Sequence, residues 1–176
     1  HKDGNNLSLR HVSLSTCGIV PRIYELAEKR LGLTLSVSLH SADDKRRSEI
    51  MPVNRTYNIG ELIEACRYYI QHTGRRVTFE YAVIEGVNSS EADADKLSGL
   101  LHGMNCHVNL IPVNKVRERN YHTARSGVAR FAKMLEQRGI NATVRRTLGS
   151  DIEAACGQLR RDAGQQDGNL KGGADQ

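Results

Sequence analysis

Residues 33–39, Leu-Thr-Leu-Ser-Val-Ser-Leu, run into His40-Ser41 and decide how this chain folds. Leu35, Val37 and Leu39 alternate with Ser36, Ser38 and His40, so a strand here has one apolar and one polar face. The alternation recurs along the chain. In 11–16, His11, Ser13 and Ser15 oppose Val12 and Leu14; in 76–84, Thr78 and Glu80 oppose Val77, Phe79, Tyr81 and Val83. In 106–112, His107 and Asn109 oppose Val108 and Leu110, and 140–146 reads as a fifth strand. Helical stretches separate these runs: 22–31, 59–72, a third from Ser89-Ser90 to Leu101, and 125–138 closed by Gly139. In 59–72, Ile59, Leu62, Ile63, Cys66, Tyr69 and Ile70 recur at helical spacing, with Asn58 to cap the start and Gly74 to end it. Residues 41–49 read as a polar connection, 114–123 as a long basic one, and 162–176 as a disordered tail rich in Gly, Gln and Asp.

Strand–helix alternation predicts parallel pairing through crossover helices. A parallel sheet buried between two helix layers reads as near-continuous apolar runs, and these strands do not. The polar faces therefore turn toward a shared hollow while the apolar faces pack on helices. A closed eight-stranded β/α barrel takes roughly 250 residues; the 176 residues here supply only four or five units. The expected fold is α/β, a parallel-stranded partial β/α barrel over residues 1–161 that lacks its N-terminal part. The rival, a sheet with one face bare to solvent, is seldom tolerated by parallel strands.

Composition supports a packed domain: 39% of residues are apolar and 26% charged, with only 5% aromatic. No apolar run approaches the ~18 residues of a membrane span. Residues 1–10 are polar and carry no signal-peptide pattern, and the chain begins at His1, so it is expected to be a piece of a longer protein. The formal charge is +5, and arginines pair at 46–47, 75–76, 145–146 and 160–161. Such a balance suits either an anionic partner such as RNA or a solvated basic surface. Cys17, Cys66, Cys106 and Cys156 stand far apart without zinc-type spacing, which points to a reducing compartment, the cytoplasm. Cys66, inside an amphipathic pattern, reads as a buried apolar residue.

Ligands of β/α barrels sit at the C-terminal ends of the strands. Those ends carry Ser15-Thr16-Cys17-Gly18, Ser38-Leu39-His40, Glu85-Gly86-Val87-Asn88 and Pro112-Val113-Asn114. Each alone reads as a turn or strand-end hydrogen bonder. Their recurrence at successive ends points to a bound ligand with ribose, adenine or amino-acid character. In 149–159, Cys156 lies between small residues with four arginines close in sequence, a setting that favours a reactive thiolate. A packed cysteine on a C-terminal helix fits the same residues equally well.

The runs STCGIVPRIYELAE, SVSLHSADDKRRSEIMPVN, GRRVTFEY, CHVNLIPVN, INATVRR and DIEAACGQLRR carry a resemblance. From residue 9 to 161 the chain resembles the C-terminal half of the radical S-adenosylmethionine enzymes that methylate carbon 2 of an adenine in large-subunit ribosomal RNA and in some transfer RNAs. The resemblance implies that Cys156 is the methyl-accepting cysteine. It implies that Ser15, Ser38, Leu39, His40 and Asn114 bind S-adenosylmethionine, and that a [4Fe–4S] cluster cleaves a second cofactor molecule to a radical. It further implies 23S rRNA and tRNA as substrates, an electron donor for the cluster, and a cytoplasmic monomer with no membrane attachment.

The chain departs from the family in lacking the C-x-x-x-C-x-x-C cluster motif, the resolving cysteine and the N-terminal RNA-binding region. In addition, KVRERNYHTA replaces a Pro- and Gly-containing stretch after Asn114. Taken alone, the chain is therefore expected to be inactive. Two alternatives stand beside this reading: the sister activity at carbon 8 of the adenine, and a non-catalytic RNA-binding remnant. A barrel hydrolase or aldolase would need a lysine, metal or carboxylate pair at the strand ends, where only Glu80 and Glu85 are offered.

Overall fold

The computed structural model describes residues 8–113 and 121–145, with side chains of 121–125 outside the description. The chain divides after Arg145 into two units, and the sheet belongs to the first. Five strands form that sheet in the order β1-β2-β3-β4-β5: β1 Ser13–Thr16, β2 Thr34–Ser38, β3 Val77–Val83, β4 Cys106–Pro112 and β5 Ala142–Val144. Every neighbouring pair is parallel. The helices between them are α1 Val20–Glu28, α2 Asp44–Ile50, α3 Ile59–Thr73, α4 Glu91–Leu101 and α5 Tyr121–Gln137. The α/β arrangement is the expected one.

Local chemistry places the helices. At α3, Oδ1 of Asn58 accepts from the Glu61 N–H at 3.0 Å while Glu61 Oε2 accepts from the Asn58 N–H at 2.9 Å, a reciprocal capping box. Gly74, at φ 65°, ends the helix in the left-handed conformation that glycine adopts without steric cost. Ser90 and Asp93 form a second box at α4. Pro21 lies in the first turn of α1, where its missing N–H costs nothing, so the helix begins earlier than the expected 22–31. It also ends earlier, before Arg30 at φ 46°. A single turn of 3-10 helix at Leu9–His11 shortens β1 to four residues.

One contiguous core holds the sheet. Leu35, Val37, Val77, Phe79, Tyr81, Val108 and Leu110 are fully buried on the apolar face. They pack with Ile23 and Ala27 of α1, Leu62, Cys66 and Tyr69 of α3, Leu97 and Leu101 of α4, and Phe131 and Leu135 of α5. Tyr81 and Phe131 stack with centroids 5.5 Å apart. Each large apolar side chain so buried contributes about 1.5–3 kcal/mol against chain entropy. The core thus lies on one side of the sheet and leaves the polar strand faces on the other.

The stretch expected to be a polar connection contains α2. Its seven residues have no apolar periodicity because little of the helix packs apolar side chains. The Asp43 side chain starts it by accepting from the Arg46 N–H at 3.1 Å. Its one buried residue is Arg47.

Candidate cofactor site at the strand ends

The register brings the polar positions into rows. Ser15 pairs with Ser36, Ser36 with Thr78, and Thr78 with His107; Ser38 pairs with Glu80, Glu80 with Asn109, and Asn109 with Thr143. Ser36 is buried, Ser38, His40, Thr78, Glu80, His107 and Asn109 are half-buried, and Ser15 is exposed. The hydroxyls of Ser13 and Ser36 lie 3.0 Å apart, Ser38 Oγ donates to Glu80 Oε2 at 3.4 Å, and His107 Nε2 lies 2.8 Å from Thr143 Oγ1. Polar side chains of neighbouring strands thus line one side of the sheet, hydrogen-bonded to one another in pairs.

At its C-terminal end the chain makes a tight turn through Ser38-Leu39-His40. The Ser41 N–H donates to the Leu39 carbonyl at 2.8 Å around His40, whose φ is 58°. A non-glycine residue at positive φ is strained, and such residues cluster at binding and catalytic sites. Backbone N–H groups of Leu39 and His40 both donate to the Glu80 carbonyl, at 3.0 and 3.1 Å. The ring is fixed too: the Ala82 N–H donates to His40 Nδ1 at 3.1 Å. Burial holds the imidazole below the ordinary histidine range, with nearby Glu80 opposing and Arg47 reinforcing the shift.

Two buried side chains brace this turn. Arg47, fully buried, donates through Nε to the Leu39 carbonyl at 3.1 Å and through Nη2 to the carbonyls of Ser38 and Cys17 at 3.0 and 2.9 Å. Its Nη1 donates to Asn54 Oδ1 at 2.7 Å. Asn88, 1% exposed, donates through Nδ2 to the carbonyls of His40 and Ala82 at 3.1 and 2.7 Å, while its Oδ1 accepts from the Ile84 N–H at 2.7 Å. The ends of β1, β2 and β3 are thereby tied to one another through side chains.

Of the site residues expected from sequence, the structure brings Ser15, Ser38 and His40 onto the polar side. Leu39 has a fully buried side chain, and its backbone groups are engaged by Glu80, Ser41 and Arg47. Asn114 and Cys156 lie outside the described residues, as do the expected tail at 162–176 and the boundary at 161. The Arg46-Arg47 pair is not the basic surface that its sequence suggests. Arg47 serves the interior, and Arg46 Nη1 is paired with Asp93 Oδ1 at 2.6 Å. The sequence signal for Arg47 is faint: an arginine within a charged run, one helical turn after the capping Asp43.

Among the described residues no group of three or more His, Cys, Asp or Glu side chains could hold a metal ion. Cys17, Cys66 and Cys106 are free thiols, exposed, buried and half-buried in turn. Among the described residues no helix is long and apolar enough to cross a membrane.

No family model matches the chain. Among curated proteins, the chain is 55% identical over 161 residues to "Probable dual-specificity RNA methyltransferase RlmN" of Clostridioides difficile, covering 91% of this chain and 47% of that protein. It is 54% identical over 159 residues to the protein of that name from Clostridium botulinum, covering 90% and 46%. Among solved structures, a radical SAM methyltransferase from Sphaerobacter thermophilus superposes with a TM-score of 0.80 at 48% identity, over 90% of this chain and 47% of that one. A domain of pyruvate-formate lyase-activating enzyme from Bacteroides vulgatus shares the fold, with a TM-score of 0.56 at 16% identity over 76% and 80% of the two chains. The chain spans about half the length of the curated relatives it matches. Parallel strands with polar faces in register, and close identity over nearly the whole chain, make this chain similar to about half of the dual-specificity RNA methyltransferases and of a radical SAM methyltransferase.

Proposed function

We propose that this chain is the C-terminal part of an RNA methyltransferase that binds S-adenosylmethionine along the polar strand ends and modifies carbon 2 of an adenine in 23S rRNA and in tRNA. The observation that carries the reading is the Ser38-Leu39-His40 turn, strained at His40, braced from beneath, and set beside the Ser15–Ser36–Thr78 row. The donor set suits the cofactor: hydroxyls and an imidazole for ribose and adenine heteroatoms, and the Glu80 carboxylate for hydroxyl or ammonium donors. When bound, S-adenosylmethionine supplies the methyl carbon and, with a [4Fe–4S] cluster held elsewhere in the whole protein, the radical chemistry that an unreactive ring carbon requires.

The chain's own residues do the positioning. Ser38 and Ser15 offer hydroxyls, His40 offers a ring nitrogen, and Asn114, two positions after Pro112 in sequence, completes the set. Leu39 locks the turn into the core and shapes it through its backbone. Cys156 is the methyl acceptor, with Arg145, Arg146, Arg160 and Arg161 close in sequence to favour its thiolate. The C-x-x-x-C-x-x-C motif does not occur in the sequence, so the isolated chain is inactive. The RNA-binding remnant draws less support, because Arg46 and Arg47 are both committed to internal partners.

The test is nucleoside mass spectrometry of RNA treated with the purified chain, S-adenosylmethionine and a reductant, with and without the complementary half of a relative. Carbon-2 methyladenosine is expected only when the complementary half is present. Methylation by the chain alone overturns the fragment reading, and carbon-8 product selects the sister activity.

A further inference from the structure

The buried groups around His40 determine more than its position. A backbone N–H can only donate, so the Ala82 N–H at 3.1 Å requires Nδ1 of His40 to be an acceptor. The ring then carries its proton on Nε2, for which no hydrogen-bond partner occurs among the described residues. The backbone around His40 is held from several sides. Its N–H is bound to the Glu80 carbonyl, its carbonyl accepts from Asn88, and the preceding carbonyls of Ser38 and Leu39 accept from Arg47. Asn88 joins the two halves of this arrangement. Through one Nδ2 group it holds the carbonyl of His40 and that of Ala82, the residue whose N–H engages the ring. Its Oδ1 fixes Ile84, and its own carbonyl accepts from the Tyr81 hydroxyl at 2.9 Å.

We infer that His40 is a neutral contact locked as the Nε2–H tautomer, presenting a single donor to an acceptor atom of its ligand, and that Asn88 is the positioning residue that maintains the lock. The ligand part of this inference rests on the cofactor reading above; the lock itself rests on the geometry of the chain. Strain at His40 then has a use. Left-handed backbone at a β-strand end turns the ring back over β3, where it meets the Ala82 N–H. The single donor also carries specificity, because Nε2–H takes an oxygen or a bare ring nitrogen as partner and rejects an ammonium.

The experiment is a long-range proton–nitrogen spectrum of the full chain labelled with nitrogen-15 histidine, recorded above the ordinary histidine titration range. Protonated and bare imidazole nitrogens are resolved directly, without any activity. The expected result for His40 is one tautomer, bare at Nδ1 and protonated at Nε2. A dominant Nδ1–H form, or an averaged signal from both, overturns the lock without recourse to any variant. Asn88→Asp keeps the Oδ1 acceptor for Ile84 and loses the donor to His40 and Ala82. It is expected to give an averaged His40 signal and about tenfold weaker S-adenosylmethionine binding. An Asn88→Asp protein that is less stable yet keeps the single His40 tautomer overturns the positioning role. Failure of the wild-type chain to bind the cofactor, with the locked signature intact, overturns the cofactor reading and leaves the lock standing.

Discussion

Arg47 reaches from α2 to the end of β1, where its Nη2 donates to the carbonyl of Cys17 at 2.9 Å. The pair joins an edge strand to a helix that comes after the next strand, and the same nitrogen also holds Ser38. No carboxylate shares this interior guanidinium in a salt bridge among the described residues; its partners are carbonyls and the amide of Asn54. Arginine keeps its charge even though burial lowers its pKa, so the hydrogen bonds remain charge-assisted.

Removing Arg47 therefore takes a donor away from four acceptors, of which the Leu39 carbonyl keeps the Ser41 N–H. Arg47→Ala is expected to destabilise the chain by about 3–5 kcal/mol, a fall in Tm of roughly 10 °C. Arg47→Lys keeps the charge but cannot span the same set of acceptors, and is expected to recover less than half of the loss. Thermal unfolding followed by circular dichroism checks both; equal stability of Arg47→Ala and wild type would contradict the bracing role.

Gly18 sits under the same guanidinium at φ 106°, and a Cβ there would lie 3.1 Å from Leu62 Cδ1 and 3.2 Å from Arg47 Nη2. Backbone strain and contact add, so Gly18→Ala is expected to cost about 1–3 kcal/mol. Gly103, at φ 71° with open space around it, serves as the comparison, because strain there acts alone. Urea midpoints should fall further for Gly18→Ala than for Gly103→Ala, and the reverse order would count against close packing at Gly18.

Stability is expected to fall on mild acidification. Burial lowers the pKa of His40, with Glu80 on β3 opposing and Arg47 on α2 reinforcing. Burial also lowers His107, with Arg76 reinforcing and Asn141 opposing. The unfolded chain thus takes up protons first, near the ordinary histidine value of about 6.5. The stability contributed by these neutral rings is complete above that pH and is lost as pH falls from there through their folded pKa values. A second loss sets in below the ordinary carboxylate range. There Lys96 and the Arg46 N–H hold Asp43 low; for Asp93, burial pushes up but the bonds from Ser90 and Arg46 prevail. Denaturant unfolding across this range should show the first slope reduced in His40→Gln and His107→Gln; an unchanged slope in both would contradict the assignment.

Thiol reactivity should track burial. Cys66 is fully buried, and burial pushes its thiol up to about 12, while burial also raises the half-buried Cys106. Cys17 is exposed. In a Cys156→Ser background, native-state alkylation read by peptide mass spectrometry should modify Cys17 first and Cys66 only on unfolding. Modification of Cys66 at a rate matching Cys17 would show that the α3 core opens readily.

Much of the fold is legible in the residues. Period-2 alternation in 33–39 and 76–84 marks both the strands and their polar faces, because each strand packs helices on one side alone. Asn58, Glu61 and Gly74 announce α3 through chemistry that acts within a few residues. Arg47 and α2 are not legible. An arginine in a run of charged residues looks solvated, and its burial depends on carbonyls that lie up to 30 positions away in sequence. The strain at His40 likewise arises from Ala82 and Asn88, 42 and 48 residues further on, which no local pattern encodes.

Everything functional turns on whether the polar strand ends hold S-adenosylmethionine. Titrating the cofactor into the isotopically labelled chain, while following backbone and imidazole signals, answers this without any need for turnover. Saturable shifts are expected at Ser15, Ser38, His40 and Glu80, with Leu62 and Leu97 on the helical side unmoved. Shifts confined to the helices, or none at saturating cofactor, would contradict the assignment of this surface to the cofactor.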